Sequence, residues 1–511
     1  MSNKKHQQKR SSEMKRLSIF LSLSLFMLVT IRSHGQDLKV KSLEEMLAEN
    51  AVDTTRILRL ESFVNMVLLN HPVVKQADLL PENAKQEIRL ARGAFDPKLE
   101  ASWDVKNFDD KEYYDFFNTT LKVPTWFPLD PKISVDRNRG EFVSRENLIP
   151  GSDDFRQVTA GLSLPIGRGL LIDQRRATVQ QAELFAQITD AERLKMINKV
   201  LLSASKDYWE WYFSFYNFLL IEESLSISEE IYRRVKVDFD FGELAAIDTV
   251  QAAITLQNRK VDRRQALIDF RRAGLMLSNY LWGENQQPMV LQDDIIPELD
   301  FAMNMLGSSM PLDSLVNMAM TRHPELLKTN LKLDQLDVDR RLAMENLKPR
   351  VDLNYNLINS PINAQGNFVD VQLRNNYKFG VEFEFPLFLR KERSKLRQTK
   401  IKIEQTGYEL NQLEREIVND IQASYFELDN TQGMLGLMQQ AANNYKTLLE
   451  AELFNLTIGE SDLFKINFQQ DKLLEAQIKL MKMRADMEKA RVTLYWSAGL
   501  PYLNFNQDSA N

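Results

Sequence analysis

The sequence predicts a mainly α-helical, internally duplicated chain in which each half carries a pair of amphipathic strands between helices. Three observations predict it. LESFVNMVLLNHPVVK at 60–75 returns as LDSLVNMAMTRHPELL at 312–327, 252 positions further on. Each copy is followed by segments in which apolar and polar side chains alternate. Each alternating pair then gives way to a long stretch whose apolar residues recur at helical spacing.

The duplication is quantitative. Aligned without gaps, 60–99 and 312–351 share 12 of 40 residues. The shared residues are Leu60, Ser62, Val64, Asn65, Met66, His71, Pro72, Leu79, Arg89, Leu90, Ala91 and Pro97 with their partners. Average composition yields roughly one match in sixteen, so about two or three by chance.

The elements follow in chain order. Residues 1–35 read as an export signal. Basic Lys4, Lys5, Lys9, Arg10, Lys15 and Arg16 precede an apolar run at 17–31, and small Ser33 and Gly35 prepare cleavage before Gln36. The run has 15 residues, fewer than the roughly 20 that span a bilayer. The first repeat is expected over 36–283, with a helix and then strands at about 97–108 and 155–165. In the first strand Leu99, Ala101, Trp103 and Val105 alternate with Glu100, Ser102, Asp104 and Lys106. The intervening 109–154 is expected to be a loop, its aromatics folded onto neighbouring structure.

From Leu170 to Phe241 there are 72 residues without glycine or proline, which predicts one long helix of about 105 Å. It ends at FDFGELAAID (239–248), where Gly242 suits a left-handed cap, and a second helix returns. A connecting segment, 284–311, holds Pro288, Pro297 and Pro311. The second repeat, 312–499, has strands at about 349–358 and 377–386. Val351, Leu353, Tyr355 and Leu357 alternate in one; Phe379, Val381, Phe383 and Phe385 alternate in the other. A long helix to about 456 turns at NLTIGESDLF (455–464) through Gly459, and 500–511 is a tail. Four strands with so apolar a face, and long helices with narrow apolar stripes, need neighbours. The sequence therefore predicts an oligomer.

Composition excludes several functions. There is no cysteine, so disulfides and thiolate metal sites are absent. After the leader only His71 and His323 remain, and both read as structural beside their prolines. No metal, catalytic residue or cofactor is expected, and no GxxxxGK[ST] phosphate loop occurs. Without the leader, 58 basic against 70 acidic side chains leave −12, which argues against nucleic acid as a partner.

The duplicated NHP/RHP helix, the strand-ending Pro165 and Pro386, the arginine-rich helix starts DQRRATVQQA and RKERSKLRQ, and the tip phrases FGELAAIDTVQAA and IGESDLF occur in order. This order resembles the TolC-like outer-membrane factor family over nearly the whole mature chain. The resemblance implies a homotrimer in the outer membrane. Four strands per subunit would close one 12-stranded β-barrel, continued by a 12-helix α-barrel in the periplasm. Leu99, Trp103, Val351, Tyr355, Phe379 and Phe383 would face lipid. The insert 109–154 would be extracellular.

The implied function is that of a passive exit duct serving efflux or type I secretion. Its partners would be a periplasmic adaptor and an inner-membrane pump of RND or ABC type. In the family the helical tips close to an aperture lined by aspartates. Asp248 matches such a position, whereas Lys465 stands where the second repeat calls for an acid. Leu456 and Ser461 replace the tyrosine and arginine of the family's lock. Glu243, Asp248, Glu460, Asp462 and Lys465 are the aperture candidates. A periplasmic coiled-coil scaffold or adhesin would share the helices but needs no amphipathic strands. Detergent-dependent solubility distinguishes the two.

Overall fold

The computed structural model describes residues 57–144, 147, 149, 156–298, 310–358, 376–458 and 460–500. The expected leader and its cleavage site, Gly459 and the tail from 501 lie outside the described residues. The chain forms two compact units. One is built from Tyr216–Ile268 and Leu435–Met481. The other is built from the described parts of Arg56–Phe215, Asp269–Met434 and Lys482–Asn511.

In the larger unit the repeated phrase forms two pairs of helices: α1 (Leu60–Asn70) with α2 (Pro72–Arg92), and α5 (Leu312–Arg322) with α6 (Pro324–Glu345). Each histidine ends one helix and begins the next. His71 closes α1 through its N–H to the Val67 carbonyl, and its Nδ1 accepts from Val73 N at 3.2 Å. His323 does the same with Ala319 and, at 3.3 Å, with Glu325 N. Proline follows both, where a missing N–H costs nothing. His71 also stacks on Tyr280 at 5.9 Å.

These caps require a neutral imidazole. Burial lowers the pKa of both histidines, against a smaller raising effect of Glu325 on His323. The unfolded chain, with histidine near 6.5, therefore takes up these protons first. The caps contribute fully above about pH 6.5 and lose their contribution as pH falls through the folded values. Asparagine caps helices without titrating. A His323→Asn variant should thus lose less melting temperature than wild type between pH 7.5 and 5.5. An identical pH slope would mean that the His323 cap does not contribute to stability.

The fold departs from expectation in the strands. The sheet has six, in the order β2 (Lys98–Phe108), β3 (Lys111–Lys122), β4 (Asp130–Arg139), β5 (Gln157–Pro165), β7 (Arg350–Ile358) and β8 (Tyr377–Glu384), all antiparallel. The sheet curls into part of a barrel. The expected loop 109–154 therefore holds an inserted hairpin, β3–β4, and the expected four strands of this sheet become six among the described residues. The reason is local. KEYYDFFNTTLK places Tyr113 beside Tyr114 and Phe116 beside Phe117, so each aromatic pair straddles both faces and hides the period of two. The β2–β3 turn is Asp109–Asp110, both at positive φ (55° and 58°). That is the geometry of a primed two-residue hairpin, made without its usual glycine.

The long helices match the glycine-free and charged runs: α3 (Gln174–Asp240) returns as α4 (Ala246–Ser278), and α7 (Arg390–Thr457) as α8 (Leu463–Ser497). No helix among the described residues is long and apolar enough to cross a membrane. Within the larger unit, α3 buries Tyr208, Trp209, Trp211 and Tyr212. The Tyr208 hydroxyl donates to the Leu58 carbonyl at 2.9 Å. That bond anchors β1 (Ile57–Leu58), which pairs in parallel with β6 (Ile296–Pro297) of the connecting segment. The smaller unit has its own core of Ile231, Val235, Ala252, Leu449, Leu453, Leu463, Ile466 and Leu473.

Candidate functional site

Two regions have the chemistry of function: the faces of the sheet and the turns of the two hairpins. Opposed residues in an antiparallel pair share a face. The register therefore carries one face across all six strands. Leu99 stands opposite Leu121, Leu121 opposite Ile133, and Ile133 opposite Ala160. Leu162 faces Tyr355, and Tyr355 faces Phe379; Val351 faces Phe383. All six wall residues expected from the sequence thus lie on a single apolar face, with Leu99 72%, Trp103 69% and Phe383 69% exposed. The opposite face carries Glu100, Lys132, Ser134, Asp352, Asn354, Asn356 and Glu382.

An exposed apolar sheet face with a polar reverse is costly in water and stable when the apolar side meets lipid and the polar side a lumen. The sheet's edges are β2 and β8, each with one row of backbone groups left for another strand.

The helical end of the sheet is fixed by the turn between β3 and β4. Asp130, at the start of β4, accepts from Arg175 near the start of α3 at 3.0 Å, and Asp173 accepts from the same guanidinium at 3.0 Å. Trp126 of the turn rests on Phe95, 5.5 Å between centroids. Phe127, Leu171, Leu387 and Phe388 are strongly exposed at this end.

The hairpin turns close in the smaller unit. Gly242 adopts φ +78° with its N–H on the Phe239 carbonyl, while Glu243 N reaches Asp238 O at 2.9 Å. Together they form the left-handed helix cap foreseen from its glycine. The second turn repeats the longer bond, Glu460 N to Asn455 O at 2.9 Å. Leu244 of the first turn and Leu456 and Leu463 of the second share the core of this unit, so the two tips are brought together.

The acids are not equivalent. Asp248 accepts from Ala245 N at 3.1 Å, and Asp462 accepts from Lys465 N at 2.9 Å. Each carboxylate thus satisfies a free N–H at the start of its helix. Lys465 also stands 3.8 Å from Asp462, both more than half exposed. Glu243 and Glu460 are exposed.

Two further features were not found from the sequence. In the smaller unit Gln470 on α8 donates to Ser224 O at 3.0 Å and to the Ser228 hydroxyl at 3.2 Å. Beside this buried seam Glu223 is pushed up to about 7 by burial, against the pull of Lys446. In the sheet, Asp115 lies on the apolar face and is 2% exposed. It accepts from Trp103 Nε1 at 2.7 Å and pairs with Arg137 at 3.2 Å and Arg139 at 2.7 Å. Both features depend on long-range register, and a lone acid among aromatics gives no sequence signal.

Residues 315–500 match the family model described as outer membrane efflux protein. No match was found among curated proteins. Solved structures match over most of the chain. The CmeC outer membrane channel of Campylobacter jejuni has 14% identity, covers 88% of both chains and gives a TM-score of 0.59. The open state of the MtrE outer membrane channel of Neisseria gonorrhoeae has 13% identity, with 86% and 89% covered and a TM-score of 0.61. The outer membrane protein VceC of Vibrio cholerae has 13% identity, with 87% and 96% covered and a TM-score of 0.59. The chain has the fold of these outer-membrane channels, and its second half carries the efflux-protein pattern.

Proposed function

We propose that this chain is an outer-membrane efflux duct: a passive, non-enzymatic conduit that passes substrates from an inner-membrane pump across the periplasm and outer membrane. The observation that carries the reading is the six-stranded sheet with one predominantly apolar, exposed face and two free edges. Such a sheet is stable in a bilayer only when closed. Three copies joined edge to edge, β8 of one to β2 of the next, close a barrel of eighteen strands. The inserted hairpin therefore widens the lumen, since barrel diameter grows with strand number. The exposed aromatics at the helical end take the place of an interfacial girdle. An adaptor and a pump of RND or ABC type complete the pathway. A strain lacking the gene, tested against a compound panel, should gain sensitivity that the intact gene restores. Unchanged sensitivity and unchanged secretion would contradict the reading.

The tips are the proposed gate. Threefold symmetry places three copies of Glu243, Asp248, Glu460 and Asp462 around one axis, and like charges at a constriction favour cations. Lys465 opposes them. Trivalent cations added on the periplasmic side should block conductance. Asp248→Ala should weaken this block several-fold and Lys465→Ala should strengthen it. Because Asp248 also caps its helix, Asp248→Asn serves as the control that keeps an acceptor without the charge. Equal block in wild type and Asp248→Asn would leave Asp248 a helix cap.

A further inference from the structure

The apolar face is interrupted at one place only among the described residues of β2 to β5, and the interruption is cationic. Phe117 stands opposite both Trp103 and Arg137, and Asp115 opposite both Val105 and Arg139. Gln157 faces Asp136, which brings the preceding Arg156 beside Arg137. Trp103, Phe117, Val135, Arg137 and Arg156 line a cavity of about 410 Å³ on this face.

The groups in the cavity are built and unevenly satisfied. Asp115 is almost fully buried and fixes Arg137 and Arg139, with Glu112 3.6 Å from Arg139. The Arg137 guanidinium lies over the Phe117 ring at 5.9 Å. Its Nε is buried and has no hydrogen-bond acceptor among the described residues. Arg156 is exposed and has no ion-pair partner among the described residues. Among the described residues three guanidiniums thus meet two carboxylates, a net cationic cluster with donors suited to an anion.

The height of the cluster identifies where that anion resides. Arg137 is seven residues beyond Asp130, which marks the helical end. That is about 23 Å along the strand and roughly 17 Å along the membrane normal at the usual tilt. The apolar band of such barrels is about 25 Å tall, and arginine reaches several ångströms further toward the headgroups. Beside this outer end, Phe108, Tyr113 and Phe142 pack together, with centroids 5.8 Å and 4.6 Å apart, as an interfacial aromatic girdle does.

We propose that Arg137, held by Asp115, and the neighbouring Arg156 form a binding site for the phosphorylated headgroup of an outer-leaflet lipid, whose acyl chains lie against Trp103, Phe117 and Val135. Arginine is suited to this because its fork donates two parallel hydrogen bonds to a phosphate. The proposal rests on the reading of this face as membrane-facing, and the test separates the two.

The chain has no cysteine, so Leu121→Cys on the same face takes a single fluorescent label. Quenching by a lipid-soluble quencher in proteoliposomes supports the membrane-facing reading; protection from it overturns that reading whatever the lipid result. Lipid binding to the purified oligomer is then measured by native mass spectrometry. The probes are a phosphorylated glycolipid, the same lipid with its phosphates removed, and inorganic phosphate. The expected result is at least tenfold tighter binding of the phosphorylated lipid, lost in Arg137→Gln/Arg156→Gln. Arg156→Gln alone, which leaves the Asp115 pairs intact, should lose part of it. Equal binding of the dephosphorylated lipid, or full preference retained in the double variant, overturns the headgroup site. Equally tight binding of inorganic phosphate overturns its assignment to lipid.

Discussion

Asp115→Ala is expected to lower the unfolding free energy by about 2–3 kcal/mol. Removing one partner of a buried pair usually costs about 3–5 kcal/mol, because a charge is left without compensation. Here the arginines keep partial exposure, 31% for Arg137 and 37% for Arg139, which reduces the penalty. Asp115 also binds Trp103 Nε1, so the loss extends across three strands. Trp103→Phe removes that hydrogen bond with only a small loss of exposed ring contact and should cost about 1 kcal/mol. Urea titration of the protein in detergent, followed by intrinsic fluorescence, measures both. An Asp115→Ala midpoint equal to wild type would mean that β2, β3 and β4 are held by their ladders and apolar contacts alone.

Tyr355→Arg is expected to cost about 2–4 kcal/mol in lipid, the usual penalty for a cation at the middle of a barrel's outer face. Tyr355 lies between Leu162 and Phe379 on the apolar face. Glu382, on the adjacent strand, lies on the polar reverse opposite Asp352. Glu382→Arg should therefore cost much less. Folding yield into vesicles across a urea series compares the pair directly. Equal costs would mean that the two faces have been exchanged.

How much of this was legible in the sequence depends on the range of the signal. The duplication fixed the order of elements, because the His-Pro junction is a local device: one ring nitrogen and one proline end a helix and start another. The phases of β2, β7 and β8 were equally local, since each has an uninterrupted alternation. The long helices were bounded by Gly242 and by the absence of earlier breakers. The inserted hairpin was not legible. Its paired aromatics blur the alternation, its turn is Asp-Asp rather than Asn-Gly, and Pro131 weakens β4 as a strand. With it went the strand count, six instead of four.

The tip residues show a further limit. Asp248 and Asp462 were identified as acids near a turn, and the structure shows each accepting from a backbone N–H of its own helix. Their spacing along the chain suits a helix cap and also the proposed charge ring, and only the assembled tips distinguish these roles. The cluster of Asp115, Arg137 and Arg139 was invisible for a different reason. Its members stand 22 and 24 positions apart and meet only through the register of strands that the sequence did not disclose.

The most direct test of a closed, conducting barrel is planar-bilayer recording with the purified full-length protein. Discrete conductance steps are expected that prefer cations over anions and are blocked by a trivalent cation added on the periplasmic side. Protein that inserts without producing steps, or that remains soluble and monomeric without detergent, would contradict it and return the long helices to a scaffold.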